Sequence, residues 1–205
     1  MRAVRRPQRH GPRGSHPLKL PGYGLVAVLA FSSTKPLGAQ SVVPAPLQSG
    51  AITFAMRATT VNDFVGRVDV ARAEFHGTDL AAITGVVEVR LAEMRTGIGL
   101  RDTHMRNAMR ADSFPVVRFE LEGLDVGATH ADTVTATFRG SLTIRGVTRA
   151  VRVPGWVLPR SPGAEVHASF PIDMREYGIA PPSRFLGAVR VDPMTTITVS
   201  LIFGN

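Results

Sequence analysis

The sequence predicts an all-β protein: a closed antiparallel β-barrel of about eight strands with one short helix. Three observations lead there. From Gly50 onward, apolar and polar side chains alternate in short runs with a period of two, as strands with one buried face do. Connections containing Gly or Asp separate the runs. No repeat and no alternation of strands with helices interrupts them, which excludes a parallel α/β fold. Closure would remove exposed sheet edges. A barrel of this size has an interior either filled by side chains or able to hold one small ligand, and alternation alone leaves both open.

The first segment stands apart. Residues 1–39 hold seven basic residues (Arg2, Arg5, Arg6, Arg9, Arg13, Lys19 and Lys35) and no acidic one. The basic stretch ends at Lys19, and "LPGYGLVAVLAF" follows, interrupted by Pro21, Gly22 and Gly24. This run falls short of the roughly 20 apolar residues of a membrane-spanning helix. Residues 1–39 are therefore expected to be a secretory signal, cleaved near Ala39, with no transmembrane segment in the mature chain. That places the protein in a bacterial periplasm or outside the cell. The alternative is a basic tail on a cytosolic protein. The twin arginine Arg5-Arg6 lacks the apolar residue that a twin-arginine signal needs at the expected distance. Residues 40–49, "QSVVPAPLQS", contain two prolines and are expected to be a linker, leaving 50–205 as the barrel domain.

Within that domain "AITFAMRA" puts Ile52, Phe54 and Met56 on one face, and "GVVEVRLAE" sets Val87, Val89 and Leu91 against Glu88 and Arg90. "VVRFELEGL" sets Val117, Phe119 and Leu121 against Arg118, Glu120 and Glu122, and "TVTATFRG" sets Val134, Ala136 and Phe138 against threonines. Leu142 and Ile144, then Val147, Val151 and Val153, continue the pattern; Val166, Ala168, Phe170 and Ile172 follow, and Ile197, Val199 and Leu201 close it. Residues 99–112 break the rhythm. Leu100, Met105, Ala108 and Met109 recur there at helical spacing, which predicts the one helix. Residues 174–187, with Pro181-Pro182 and two glycines, are expected to be a loop.

The formal charge of +8 belongs to the N-terminal segment, because residues 40–205 hold 17 basic and 16 acidic residues. A near-neutral body offers little counterion release on a phosphate backbone, so nucleic acid is not an expected partner. The chain has no cysteine, which excludes disulfides and thiol chemistry.

The densest polar stretch is "RTGIGLRDTHMRN", Arg95–Asn107. Asp102 and His104 are two residues apart, and on a helix such residues face different sides. Ser113 and Ser141 are available hydroxyls, but neither sits in a G-x-S-x-G elbow. His76, His104, His130 and His167 are scattered and form no metal motif. Gly97-x-Gly99 lacks the third glycine of a dinucleotide site. Neither catalysis nor a cofactor is expected. Two uses of Arg101 and Arg106 stay open: pairing with Asp102, Asp112 or Glu88, or contact with a ligand's polar head group.

Two blocks carry a resemblance. "TGIGLRDTHMRNAMRADSFPVVRFELEGL", Thr96–Leu124, and "GSLTIRGVTRAVRVP", Gly140–Pro154, resemble in order and spacing the two signatures of the YceI-like, polyisoprenoid-binding family. "VNDFVG" and "VDPMTTITVSLIF" sit where that family has strands, so the resemblance covers residues 50–205. The chain departs at Ile98, where the family pattern has asparagine, and in the abbreviated "ADSFP" before the strand. The resemblance implies a lipocalin-like barrel whose lumen takes a long-chain isoprenoid or fatty amphiphile, no general catalytic activity, and a possible homodimer. On that basis Phe54, Phe64, Phe119, Phe138, Leu142, Ile144 and Phe170 are the candidate lumen wall. Arg101 and His104 are candidates for the head-group end, or for fixing the helix. A lipid-modifying enzyme on the same barrel and a ligand-free interaction module are the alternatives.

Overall fold

The computed structural model describes residues 44–58, 62–181, 183–184 and 189–205; the expected signal segment and the start of the expected linker lie outside these. The described chain forms nine strands: β1 (Leu47–Ala58), β2 (Phe64–His76), β3 (Thr84–Arg90), β4 (Val116–His130), β5 (Thr133–Ile144), β6 (Val147–Pro159), β7 (Ala164–Asp173), β8 (Ser183–Arg184) and β9 (Val189–Phe203). One helix, α1 (Gly99–Met109), precedes β4. Strands β1 to β7 pair in sequence order, β9 pairs with β7, and β9 returns to β1 with Phe54 opposite Ile197. Eight long antiparallel strands thus close a barrel, and β8 is a two-residue ladder against the start of β9.

Register explains which residues turn inward. Val87 faces Phe119, Phe119 faces Leu142, and Phe138 faces Val153 across successive ladders. The same pleat turns the charged residues out. Glu88 lies opposite both Arg72 and Arg118 and pairs with each, while Arg72 holds Glu74 at 2.7 Å and Arg118 holds Glu120 at 2.8 Å. Cross-strand charge pairs of this kind favour one register over a slip by one residue.

One end of the barrel is capped. The β2–β3 connection folds a 3₁₀ turn, Leu80–Ala82, across it, and the Asp79 carboxylate accepts the Ala81 amide at 2.9 Å. Leu80 and Ile83 pack there against Leu124, Val134 and Val157, all buried. The two-residue β5–β6 turn lies at the other end. Gly146 has φ 75° and Arg145 has φ 50°, the left-handed pair that a tight hairpin requires. A Cβ on Gly146 would also come within 2.8 Å of the Phe114 ring.

Two boundaries differ from expectation. β1 begins at Leu47 rather than Gly50, so residues 47–49 of the expected linker belong to the barrel. Pro44 and Pro46 bring no amide to a ladder, but Leu47 pairs with Phe203 and packs beside it. The expected loop after β7 starts with a 3₁₀ turn, Met174–Tyr177, and contains β8. Three apolar residues there are buried, Met174, Tyr177 and Ile179, and pack on Leu142 and Ile144. Their burial orders the start of this stretch, and residues 182 and 185–187 of the expected loop lie outside the described residues.

Candidate ligand-binding cavity

The barrel encloses an open lumen of about 950 Å³, at the upper end of the range for small-molecule sites. Its β9 wall alone runs from Val191 to Leu201. That is about 33 Å of strand at ~3.3 Å per residue, or roughly 25 Å along the axis at the usual tilt. The lumen is elongated; among the described residues Leu80 is not part of its lining, while Ile98 and Leu100 beside α1 both line it and face solvent.

All nine residues expected at a ligand site lie on this wall. Phe54, Phe64, Phe119, Phe138, Leu142, Ile144 and Phe170 line it from five different strands, Phe64 being the first residue of β2, and Arg101 and His104 line it from α1. Phe54 is only 6 % exposed, with its ring over Gly66 of the neighbouring strand. A Cβ at Gly66 would stand 2.0 Å from the Phe54 ring, so that ring position requires glycine there. Among the described lining residues only Arg101, His104 and Thr195 are polar. The Thr195 hydroxyl is already committed, donating to the Ala55 carbonyl at 2.9 Å. The remaining polarity lies at the mouth, on α1.

The sequence placed α1 correctly but not all its contacts. Arg95 returns the chain to β2 through paired backbone bonds with Arg67, and its side chain meets Asp69 at 2.6 Å. Gly97 then takes φ 80°, which suits glycine, whereas Gly99 shows no such need. Asp102 turns back along the chain and accepts the Thr96 amide at 2.7 Å and the Thr96 hydroxyl at 2.6 Å. These bonds, aided by Arg106 and Arg101, hold its carboxyl below the usual range against the opposing effect of burial. Among the described residues neither arginine forms a salt bridge with Asp102, Asp112 or Glu88, although both act on Asp102 through their charge. Glu88 belongs to Arg118 and Arg72. Arg101 instead lies over the Phe64 ring, 4.3 Å from its centroid, and Arg106 donates to the Met94 carbonyl at 3.4 Å. The helix crosses the mouth, and its arginines meet the groups nearest their own turns.

Sequence reasoning missed part of the mouth. Ile98 and Leu100 line the lumen yet are 51 % and 68 % exposed. Ile179 and Ala180, from the stretch expected to be an irregular loop, line it as well. The isolated apolar letters of "YGIA" after a glycine were the available signal. Asp102 and His104 face different ways, as their spacing implied: one holds Thr96 and the other lines the lumen. No cluster of candidate metal ligands occurs among the described residues.

The comparisons agree with this architecture. A family model described as the YceI-like domain matches residues 45–203. No curated protein matches the sequence. A polyisoprenoid-binding domain from Saccharophagus degradans, implicated in plant cell wall breakdown, superposes with a TM-score of 0.61 at 15 % identity. That alignment covers 79 % of this chain and 98 % of the other. BcnA of Burkholderia cenocepacia superposes with a TM-score of 0.59 at 14 % identity, covering 76 % and 96 %. At such identities the likeness is one of fold.

Proposed function

The chain belongs to the YceI-like domain family, and from that premise we propose that it is a binding protein, not an enzyme, that holds a long-chain isoprenoid or similar amphiphile in its barrel. One observation carries this reading: an elongated, apolar lumen of about 950 Å³ whose polar lining side chains, Thr195 apart, stand on α1 at the open end. Such a space suits a ligand with a long apolar tail and one polar head. The tail would lie along Phe119, Phe138, Leu142 and Phe170, and the head would reach Arg101 and His104. Burial of tail surface would supply the affinity, at about 25 cal/mol per Å². The polyisoprenoid-binding neighbour and the family match support a lipid of this class. A periplasmic or secreted carrier fits the N-terminal sequence, since such a lipid needs shielding to cross an aqueous compartment.

The test is native mass spectrometry of the purified chain, followed by solvent extraction. A bound long-chain lipid at unit stoichiometry, or uptake of an added polyprenol, is the expected result. A lumen that stays empty when polyprenols and fatty amphiphiles are offered overturns the reading.

A further inference from the structure

Seven large apolar side chains stand out from the described surface: Val65, Ile98, Leu100, Val116, Val126, Met194 and Ile202. Their placement is uneven. Val65 is the second residue of β2 and Val116 the first of β4, both at the α1 end of the barrel. Met194 pairs with Asp173, the last residue of β7, which is the same end. Ile98 and Leu100 introduce α1 itself. Five of the seven therefore ring the open end, and they arise from separate parts of the chain. Monomeric proteins seldom gather exposed apolar residues on one face without a partner for it.

Beside this collar, α1 contributes mainly positive charge. Helix α1 and its C-cap carry Arg101, Arg106 and Arg110. The only carboxylate on the helix, Asp102, is 9 % exposed and turned to Thr96. Arg101 and Arg110 form no salt bridge among the described residues; each lies instead over an aromatic ring, Phe64 and Phe114. An apolar rim with cations just behind it matches the layering of a bilayer surface, where acyl chains lie beneath anionic phosphates.

We infer that the α1 end of the barrel docks on a phospholipid bilayer, with Ile98, Leu100 and Val65 entering the interface and Arg101 and Arg110 meeting lipid phosphates. The inference rests on the carrier reading above and adds the route by which cargo is exchanged. Ile98 and Leu100 belong to both the rim and the lumen wall, so an apolar tail would pass from membrane to cavity without crossing water.

The test uses single-tryptophan reporters in the full chain. Trp156 is the chain's one tryptophan, and Trp156→Phe provides the background. Val65→Trp and Leu100→Trp report on the collar, and Val126→Trp reports on the opposite end. Each is mixed with vesicles of equimolar phosphatidylcholine and phosphatidylglycerol whose acyl chains are brominated. Docking requires quenching at Val65→Trp and Leu100→Trp and none at Val126→Trp. Arg110→Glu should weaken vesicle binding by about fivefold or more. Quenching at Leu100→Trp alone would mean that lipid enters the lumen without docking, and it overturns the inference. Equal quenching at both ends, or none at either collar position, also overturns it and leaves the collar to a protein partner. Polyprenol uptake by the unsubstituted chain from detergent solution is measured in parallel. Uptake without collar quenching rejects docking and keeps the carrier reading, and absence of both rejects the two together.

Discussion

The Arg101 guanidinium lies 4.3 Å from the centre of the Phe64 ring, which joins the helix at the barrel mouth to the first residue of β2. This contact fixes where the mouth's cation stands. Arg101 is thereby held beside the lumen and forms no salt bridge among the described residues, so a ligand's head group entering there would meet its charge.

A double-mutant cycle measures that contact. Phe64→Leu and Arg101→Met, singly and together, should show a coupling of about 0.5–1 kcal/mol in urea unfolding. Additive effects would mean that the ring and the cation do not interact.

Gly66 should resist even the smallest side chain. Gly66→Ala puts a methyl group where the Phe54 ring lies, and overpacking of this kind costs about 1–3 kcal/mol. Adding Phe54→Leu should recover much of the loss, because the smaller residue vacates that space. Chemical denaturation of the three variants tests this, and an undisturbed Gly66→Ala protein would contradict the packing described.

The Asp102 carboxylate should matter more as pH rises. Its folded-state pKa is depressed below the ordinary value of 3.8, first by the Thr96 hydroxyl bond, with the Thr96 amide and the nearby arginines adding to the effect. Its stabilisation is therefore fully present above the unfolded value and is lost as pH falls through the depressed one. Asp102→Asn should lower the melting temperature at neutral pH and bring the two proteins closer together as pH falls below the ordinary carboxyl value of 3.8. A difference independent of pH would rule out this ionisation as the cause.

Ala168 lines the lumen on β7 and is nearly inaccessible. Ala168→Trp should place an indole in the open space, leave the β-sheet circular dichroism intact, and abolish uptake of long-chain ligand. Unchanged uptake by the folded variant would show that cargo binds elsewhere.

The barrel was legible because period two is a local signal. Ile52, Phe54 and Met56 alternate within one strand, and no distant contact is needed to read their shared face. Closure of β9 on β1 was only implied, since nothing local records that Phe54 meets Ile197. Helix α1 was legible from Met105, Ala108 and Met109, but Leu100 looked like part of the same inward stripe. Its exposure depends on where the helix lies across the mouth. The contacts of Arg101 and Arg106 were left open for a similar reason. Sequence shows which carboxylates exist, whereas Phe64 and the Met94 carbonyl become neighbours only after folding. The bonds from Thr96 to Asp102 span six residues and were the most readable of the contacts missed.

The lumen is proposed to bind an apolar chain along its length. This proposal is tested most directly by measuring the affinity of the purified protein for a homologous series of linear amphiphiles that differ only in chain length. Each buried methylene should contribute about 0.8 kcal/mol, close to fourfold in Kd, until the lumen is full and the gain stops. Affinity that does not depend on chain length would mean that no apolar chain lies along the lumen.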